Sequence, residues 1–173
     1  KSNIAKPYQK IAGKSLIEIN INKARKFKQI KKIILVYNKK DTKRVKSLKL
    51  KNVKLILGGK NRQLSAFNAL NHLVKLKGIS KVLIHDVARP NFSIKLFSSI
   101  IKNMKNARAV VPKINIRDAV KQKIDSSINE YILGKNRNNL FLTQTPQAFN
   151  LKEIYHLHKT NSSKYKDDDI SGA

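Results

Sequence analysis

Cysteine and tryptophan are absent, methionine occurs once, and only ten of the 173 residues are acidic. Each shortage excludes something. Without cysteine there is no disulfide framework and no thiolate metal site, which fits a reducing compartment such as the cytoplasm. No apolar run approaches the roughly 20 residues that span a bilayer, and no signal-peptide pattern of basic start, apolar middle and small-residue cleavage site is present. A membrane partner is therefore not expected. The few acids are informative because they are few: Glu18, Asp41, Asp86, Asp118, Asp125, Glu130, Glu153 and the run Asp167, Asp168, Asp169. Most suit solvated faces, but Asp86 directly follows a β-branched apolar run.

What is abundant is lysine, and the formal charge reaches +28. A charge of that size ordinarily points to nucleic acid or an anionic membrane. Here it is discounted. The bases are spread over nearly every helix and loop, whereas nucleic-acid binders gather them on a stripe, often with arginine and stacking aromatics. Arginine is confined to Arg25, Arg44, Arg62, Arg89, Arg108, Arg117 and Arg137. A nucleic-acid-binding protein is thus the weaker reading, and filter retention that collapses with salt would be its mark.

With 40% hydrophobic residues, the chain can form one compact domain with its own core. Ser15-Leu-Ile-Glu18 is a capping-box pattern opening a helix that runs to Phe27. Residues 32–37 (KIILVY) and 53–57 (VKLIL) read as buried strands with a short helix between them. Gly58-Gly59 then forms a turn before a helix over 61–76, followed by the strand of KVLIHD and a helix over 93–104. A strand at 107–112 and a helix from Leu151 to about Lys159 complete the body. Strands alternating with helices predict a parallel or mostly parallel sheet in a three-layer α/β sandwich. Residues 113–135 instead alternate polar and apolar positions around Asp125-Ser126-Ser127, which predicts a projecting β-hairpin arm whose hydrophobes suit a homodimer contact.

Four stretches stand apart from this scaffold. Lys6-Pro7-Tyr8 lies near the start. GGKNRQLSAFNAL (58–70) places a glycine pair before a helix that opens with Asn61, Arg62, Gln63 and Ser65, offering amides and donors to an anion or a nucleobase edge. Arg62 is a planar bidentate donor where lysine is plentiful, which points toward function. HDVARP (85–90) puts Asp86 at the carboxyl end of a buried strand, where open α/β sheets place ligand and metal groups. Arg89 beside it reads either as a simple ion-pair partner or as a site residue. NRNNLFLTQTPQAF (136–149) carries a polar run without helical or strand period between Phe141 and Phe149, a plausible binding loop. His85 reads as a satisfied strand-end histidine, and His72, His156 and His158 show no metal spacing.

Taken together, GGKNRQLSAFNAL, HDVARP and RNNLFLTQTPQAF, in this order and spacing, resemble the 2-C-methyl-D-erythritol 4-phosphate cytidylyltransferases of the non-mevalonate isoprenoid pathway. The resemblance covers nearly the whole chain. It implies a Rossmann-like nucleotidyltransferase domain that joins methylerythritol phosphate to the α-phosphorus of CTP, releases pyrophosphate, uses Mg²⁺ and forms a homodimer through interlocking β-arms. Carried over, Gly58, Gly59, Arg62 and Ser65 fall in the CTP-binding motif, with Ser65 at the cytosine, and Asp86 would ligate the magnesium. Arg89 and Thr145 would hold the sugar-alcohol phosphate, and Arg137 would reach the partner subunit's substrate. Lys6 would stabilise charge on the α-phosphate, while Asp168 falls in a matching motif without a defined role.

Departures accompany the match. Pro7 follows Lys6 where the family has glutamine, Ala119 replaces a threonine after Arg117-Asp118, and Asp167 replaces a threonine before the terminal acidic pair. The family's Gly-rich phosphate loop and its second catalytic lysine have no counterpart in residues 1–173. The chain therefore reads as a single nucleotidyltransferase domain truncated at both ends, and a fragment of this extent is expected to catalyse poorly. The nearest rival is the sister family acting on ribitol 5-phosphate, which shares HD-x-x-RP and QTPQ signatures. Arg137 followed by Asn138-Asn139-Leu140 favours the methylerythritol enzymes.

Overall fold

The computed structural model describes residues 4–123, 131–132 and 136–161. Its first elements are a 3₁₀ turn at Lys6–Tyr8 and a small hairpin of β1 (Lys10–Ile11) and β2 (Lys14–Ser15). There follow α1 (Leu16–Ala24), β3 (Ile33–Tyr37), α2 (Thr42–Ser47), β4 (Val53–Leu57), α3 (Arg62–Leu73), β5 (Lys81–Ile84), α4 (Ile94–Asn103) and β6 (Ala109–Val110). β7 (Lys113–Asn115), β8 (Gln122–Lys123), β9 (Tyr131–Ile132), β10 (Phe141–Thr143), β11 (Gln147–Asn150) and α5 (Leu151–Asn161) complete the order.

Helix starts follow local chemistry. At α1 the predicted capping box forms: Ser15 Oγ accepts from the Glu18 amide at 3.3 Å and the Glu18 carboxylate accepts from the Ser15 amide at 2.8 Å. The Ser15 hydroxyl also donates to Glu18 Oε2 at 2.7 Å, and this bond, with that from the Ser15 amide, holds the Glu18 carboxyl below its usual range. Asn61 and Ser93 cap α3 and α4 in the same way, accepting from Leu64 and Leu96.

Strand pairing is mixed rather than mostly parallel. β3 and β4 pair in parallel, from Ile33 opposite Val53 to Tyr37 opposite Leu57. β11 lies between β5 and β6 and is antiparallel to both. β11 is a strand the sequence reading treated as part of a polar loop. Gln147 and Phe149 are buried and Ala148 is 0% exposed, so both faces are covered and no alternation of polar and apolar residues is needed.

Helices cover both faces of this three-stranded unit. Phe149 packs with Ala66, Leu70 and Leu73 of α3 and with Leu151 and Ile154 of α5. Ala148, pointing the other way, packs with Ile100 of α4 and Met104. The result is the expected α/β/α layering. A further core of Tyr8, Ile17, Ile21, Leu35 and Val45 joins α1 and α2 to β3. It is capped by the Arg44 guanidinium, 4.9 Å from the Tyr8 ring centroid. Burial and the neighbouring Asp41 push the Tyr8 hydroxyl up to about 12.

Two features position the site. Among the described residues, β3 pairs only with β4 and β5 only with β11, and a cavity of about 800 Å³ lies along both strands. Its lining reaches Gly58, Gly59, Arg62, Ser65 and Asp86 at the strand ends. The second feature is the arm, where β8 and β9 pair antiparallel as the 113–135 reading expects. β7, however, pairs with β10, Leu142 opposite Ile114, so the ribbon reaches back to Thr143. The Asp125-Ser126-Ser127 turn, Asp167 and Asp168 lie outside the described residues.

Candidate active site

Asp86 follows β5 at its carboxyl end and is gripped from two sides. Arg62 Nη2, at the start of α3, donates to Asp86 Oδ1 at 2.8 Å. Arg89 Nε approaches Asp86 Oδ2 at 3.4 Å, and its Nη1 donates to Gln144 Oε1. The Asp86 side chain is 32% exposed and that of Arg62 is 30% exposed, so the pair contributes at most about 1 kcal/mol to stability. Its consequence is orientation. Both carboxylate oxygens keep spare lone pairs, and two fixed guanidinium groups sit where an anion can meet them.

The glycine pair closes the turn that leads into α3. Gly58 N–H donates to Tyr37 O at 2.9 Å, and Gly59 N–H donates to Ser65 Oγ at 3.0 Å. Both amides are spent on closing the turn. Glycine is required there for space: a Cβ on Gly59 would stand 2.4 Å from Leu64 Cβ, and one on Gly58 would stand 2.9 Å from Ser65 Oγ. Ser65 Oγ also donates to Asn61 O at 2.7 Å. With its proton and one lone pair engaged, what the hydroxyl still offers a ligand is an acceptor.

Thr145 is 7% exposed and faces inward. Its Oγ1 accepts from the Asp86 amide at 3.3 Å and lies 3.0 Å from His85 Nδ1. His85 Nε2 is 3.1 Å from both Asn20 Oδ1 and Arg89 O. Burial lowers the pKa of this imidazole, with the Arg89 carbonyl and Asp86 opposing the shift. Asn20 and Lys23, one turn apart on α1, clamp the same loop: Asn20 Nδ2 donates to Val87 O at 2.9 Å, and Lys23 Nζ donates to Pro90 O and to Phe92 O.

Seven of the nine residues singled out from the sequence thus meet at the strand ends: Gly58, Gly59, Arg62, Ser65, Asp86, Arg89 and Thr145. Two do not. Lys6 is exposed in its 3₁₀ turn, and Arg137, also exposed, donates to Arg117 O at 2.7 Å on the arm side of the molecule. From sequence, His85 reads as a satisfied strand-end histidine, as its bonds show, and Gln144 falls in the candidate binding loop; Asn20 was missed. Asn20 had a usable signal, a polar side chain on the apolar stripe of α1 beside Ile17 and Ile21.

Compared with known proteins, residues 1–172 match the family model described as IspD, 2-C-methyl-D-erythritol 4-phosphate cytidylyltransferase. The chain belongs to this family. It is 42% identical over 167 residues to a bifunctional enzyme IspD/IspF of Pelagibacter ubique, covering 96% of this chain and 44% of that protein. It is 35% identical over 155 residues to the 2-C-methyl-D-erythritol 4-phosphate cytidylyltransferase of Dictyoglomus thermophilum, covering 86% of this chain and 66% of that one. The chain therefore spans under two thirds of the length of both relatives. Among solved structures, the 4-diphosphocytidyl-2C-methyl-D-erythritol synthase of Anaerococcus prevotii superposes with a TM-score of 0.80 at 32% identity, covering 99% of this chain and 75% of that one.

The family's description names a phosphorylated compound, and a strand-end carboxylate held between two arginines beside an open cavity offers groups that suit a phosphate and its counter-ion. Among the described residues no group of three His, Asp or Glu side chains converges to hold a metal by itself. A single accessible carboxylate is the donor set magnesium uses when it arrives with substrate phosphates and keeps several waters. Asp86 fits that role. Among the described residues, no helix is long and apolar enough to cross a membrane.

Proposed function

We propose that the protein transfers the cytidylyl group of CTP to 2-C-methyl-D-erythritol 4-phosphate. The observation that carries this is Asp86 with Arg62 and Arg89 on its two oxygens, at the mouth of the cavity that also meets Gly58, Gly59 and Ser65. A phosphate oxygen of the acceptor attacks the α-phosphorus of CTP. A new P–O bond forms as the bond to the β-phosphate oxygen breaks, and pyrophosphate leaves with that electron pair. No covalent enzyme intermediate is needed, so positioning and charge neutralisation supply the catalysis.

Each side chain takes a part that its placement supports. Ser65 Oγ, with an acceptor lone pair left over, suits the exocyclic amino group of cytosine. Asp86 would hold a magnesium ion delivered with CTP, and that ion would neutralise charge on the triphosphate. Arg89 receives the acceptor phosphate, while Thr145 braces the floor of that subsite through the Asp86 amide. Lys6, exposed and without a side-chain hydrogen bond among the described residues, is available to the α-phosphate. Arg137 stands on the arm side, and we assign it to the substrate of a second copy. Ile114, Phe141 and Leu142, each more than half exposed on β7 and β10, support a homodimer formed through the arm. The lack of cysteine supports a cytoplasmic setting.

Pyrophosphate release tests the reading. The full-length protein is given CTP and Mg²⁺ with methylerythritol phosphate or with ribitol 5-phosphate. Preference for methylerythritol phosphate is expected. Preference for ribitol 5-phosphate would move the protein to the sister activity, and release with neither acceptor would remove the assignment.

A further inference from the structure

The imidazole of His85 lies at a junction that the proposed transfer chemistry leaves without a role. Three elements meet on its ring: α1 through Asn20, the turn after β5 through the Arg89 carbonyl, and the segment before β11 through Thr145. The donors and acceptors around it fix a direction for every bond. Asn20 Nδ2 donates to Leu16 O at 2.8 Å and to Val87 O at 2.9 Å, so Oδ1 is the Asn20 atom facing the ring. His85 Nε2 therefore meets two acceptors, Asn20 Oδ1 and Arg89 O, and must carry the hydrogen. In the neutral ring Nδ1 is then an acceptor, and Thr145 Oγ1–H is its donor. Thr145 can then accept from the Asp86 amide, as its 3.3 Å distance shows.

We propose that His85, as the neutral Nε2–H tautomer, is a positioning residue with two separate outputs. Through Nε2–H it fixes the turn that presents Arg89 to the acceptor phosphate. Through Nδ1 it fixes the Thr145 hydroxyl, and so the Asp86 backbone that carries the metal-binding carboxylate. The ring itself is anchored by Phe92, whose centroid lies 4.6 Å away, edge to face, and by the Lys23 bonds that close the loop behind it. This rests on the proposed cytidylyl transfer for what the outputs do, although the bond directions stand without it.

Two near-isosteric variants separate the outputs. His85→Asn keeps an acceptor near the Nδ1 position and loses the Nε2–H donor; His85→Gln does the reverse. Displacing a catalytic group by about 1 Å costs up to roughly a hundredfold. On that scale, His85→Asn is expected to raise the KM for methylerythritol phosphate about tenfold with the KM for CTP·Mg²⁺ unchanged. His85→Gln should raise the KM for CTP·Mg²⁺ more than that of the acceptor, whose subsite Thr145 also borders. A purely structural histidine would lower the melting temperature and move both constants together in both variants, and that result overturns the proposal. Nitrogen chemical shifts of His85 in the full-length protein decide the bond directions independently of turnover. A pyrrole-type Nε2 and a pyridine-type Nδ1 are expected, and the opposite tautomer overturns the inference. If the wild-type protein transfers no cytidylyl group, the proposed function fails, while the tautomer measurement still decides the network.

Discussion

The strand-end cluster and the arm are built from similar residues and behave in opposite ways. At the strand ends nearly every polar group is already committed: Asp86 to two arginines, Ser65 to the glycine turn, Thr145 to His85 and the Asp86 amide. On the arm, Ile114 and Leu142 form a cross-strand pair that remains about half exposed, and Arg137 donates to the Arg117 carbonyl of the facing segment. The first region is finished by intramolecular folding. The second leaves Ile114, Phe141 and Leu142 about half exposed. Preorganised charges need no rearrangement at the moment of reaction, whereas an apolar ribbon with two wet faces holds little stability of its own.

Four variants sharpen or break that contrast. Asp86→Ala should have the largest effect, lowering turnover by roughly a hundredfold or more in a pyrophosphate-release assay; near-normal turnover would mean the cluster is structural. Gly59→Ala should be the costliest for stability. Its new methyl meets Leu64 Cβ at 2.4 Å, and overpacking of this kind costs about 1–3 kcal/mol, readable as a lower urea midpoint. On the arm, Leu142→Asp should shift the protein toward monomer in sedimentation velocity while leaving the melting curve of the body nearly unchanged. Arg137→Ala should have the mildest effect, a several-fold rise in the KM for the sugar phosphate on the scale of one lost charge-assisted bond, with CTP binding intact. An effect confined to CTP would place Arg137 in the nucleotide site instead.

Much of this was legible before any coordinates. The Ser15–Glu18 box, the KIILVY and VKLIL pair and the β5 strand leading to Asp86 follow from capping chemistry and apolar runs, and the structure reproduces them. β11 was not legible, because a strand buried on both faces loses the alternation that identifies a strand, and Gln147 looks like loop polarity. The Gly58–Gly59 turn is legible, but the physical reason for its glycines is not. Sequence shows that glycine is present, but only packing shows that Leu64 and Ser65 fill the space where side chains would be. His85 reads from sequence as a satisfied strand-end histidine, but which groups satisfy it is not legible, because Asn20 and Thr145 are 65 and 60 positions away, a coincidence only the fold produces.

The most direct measurement of the central claim is calorimetric titration of CTP into the full-length wild-type protein and Asp86→Ala, each with and without Mg²⁺. The account predicts that magnesium strengthens CTP binding to the wild type, that this gain disappears in Asp86→Ala, and that metal-free CTP binding is much the same in both. An equal magnesium-dependent gain in the two proteins would contradict it, because the strand-end carboxylate would then have no part in holding the metal-bound triphosphate.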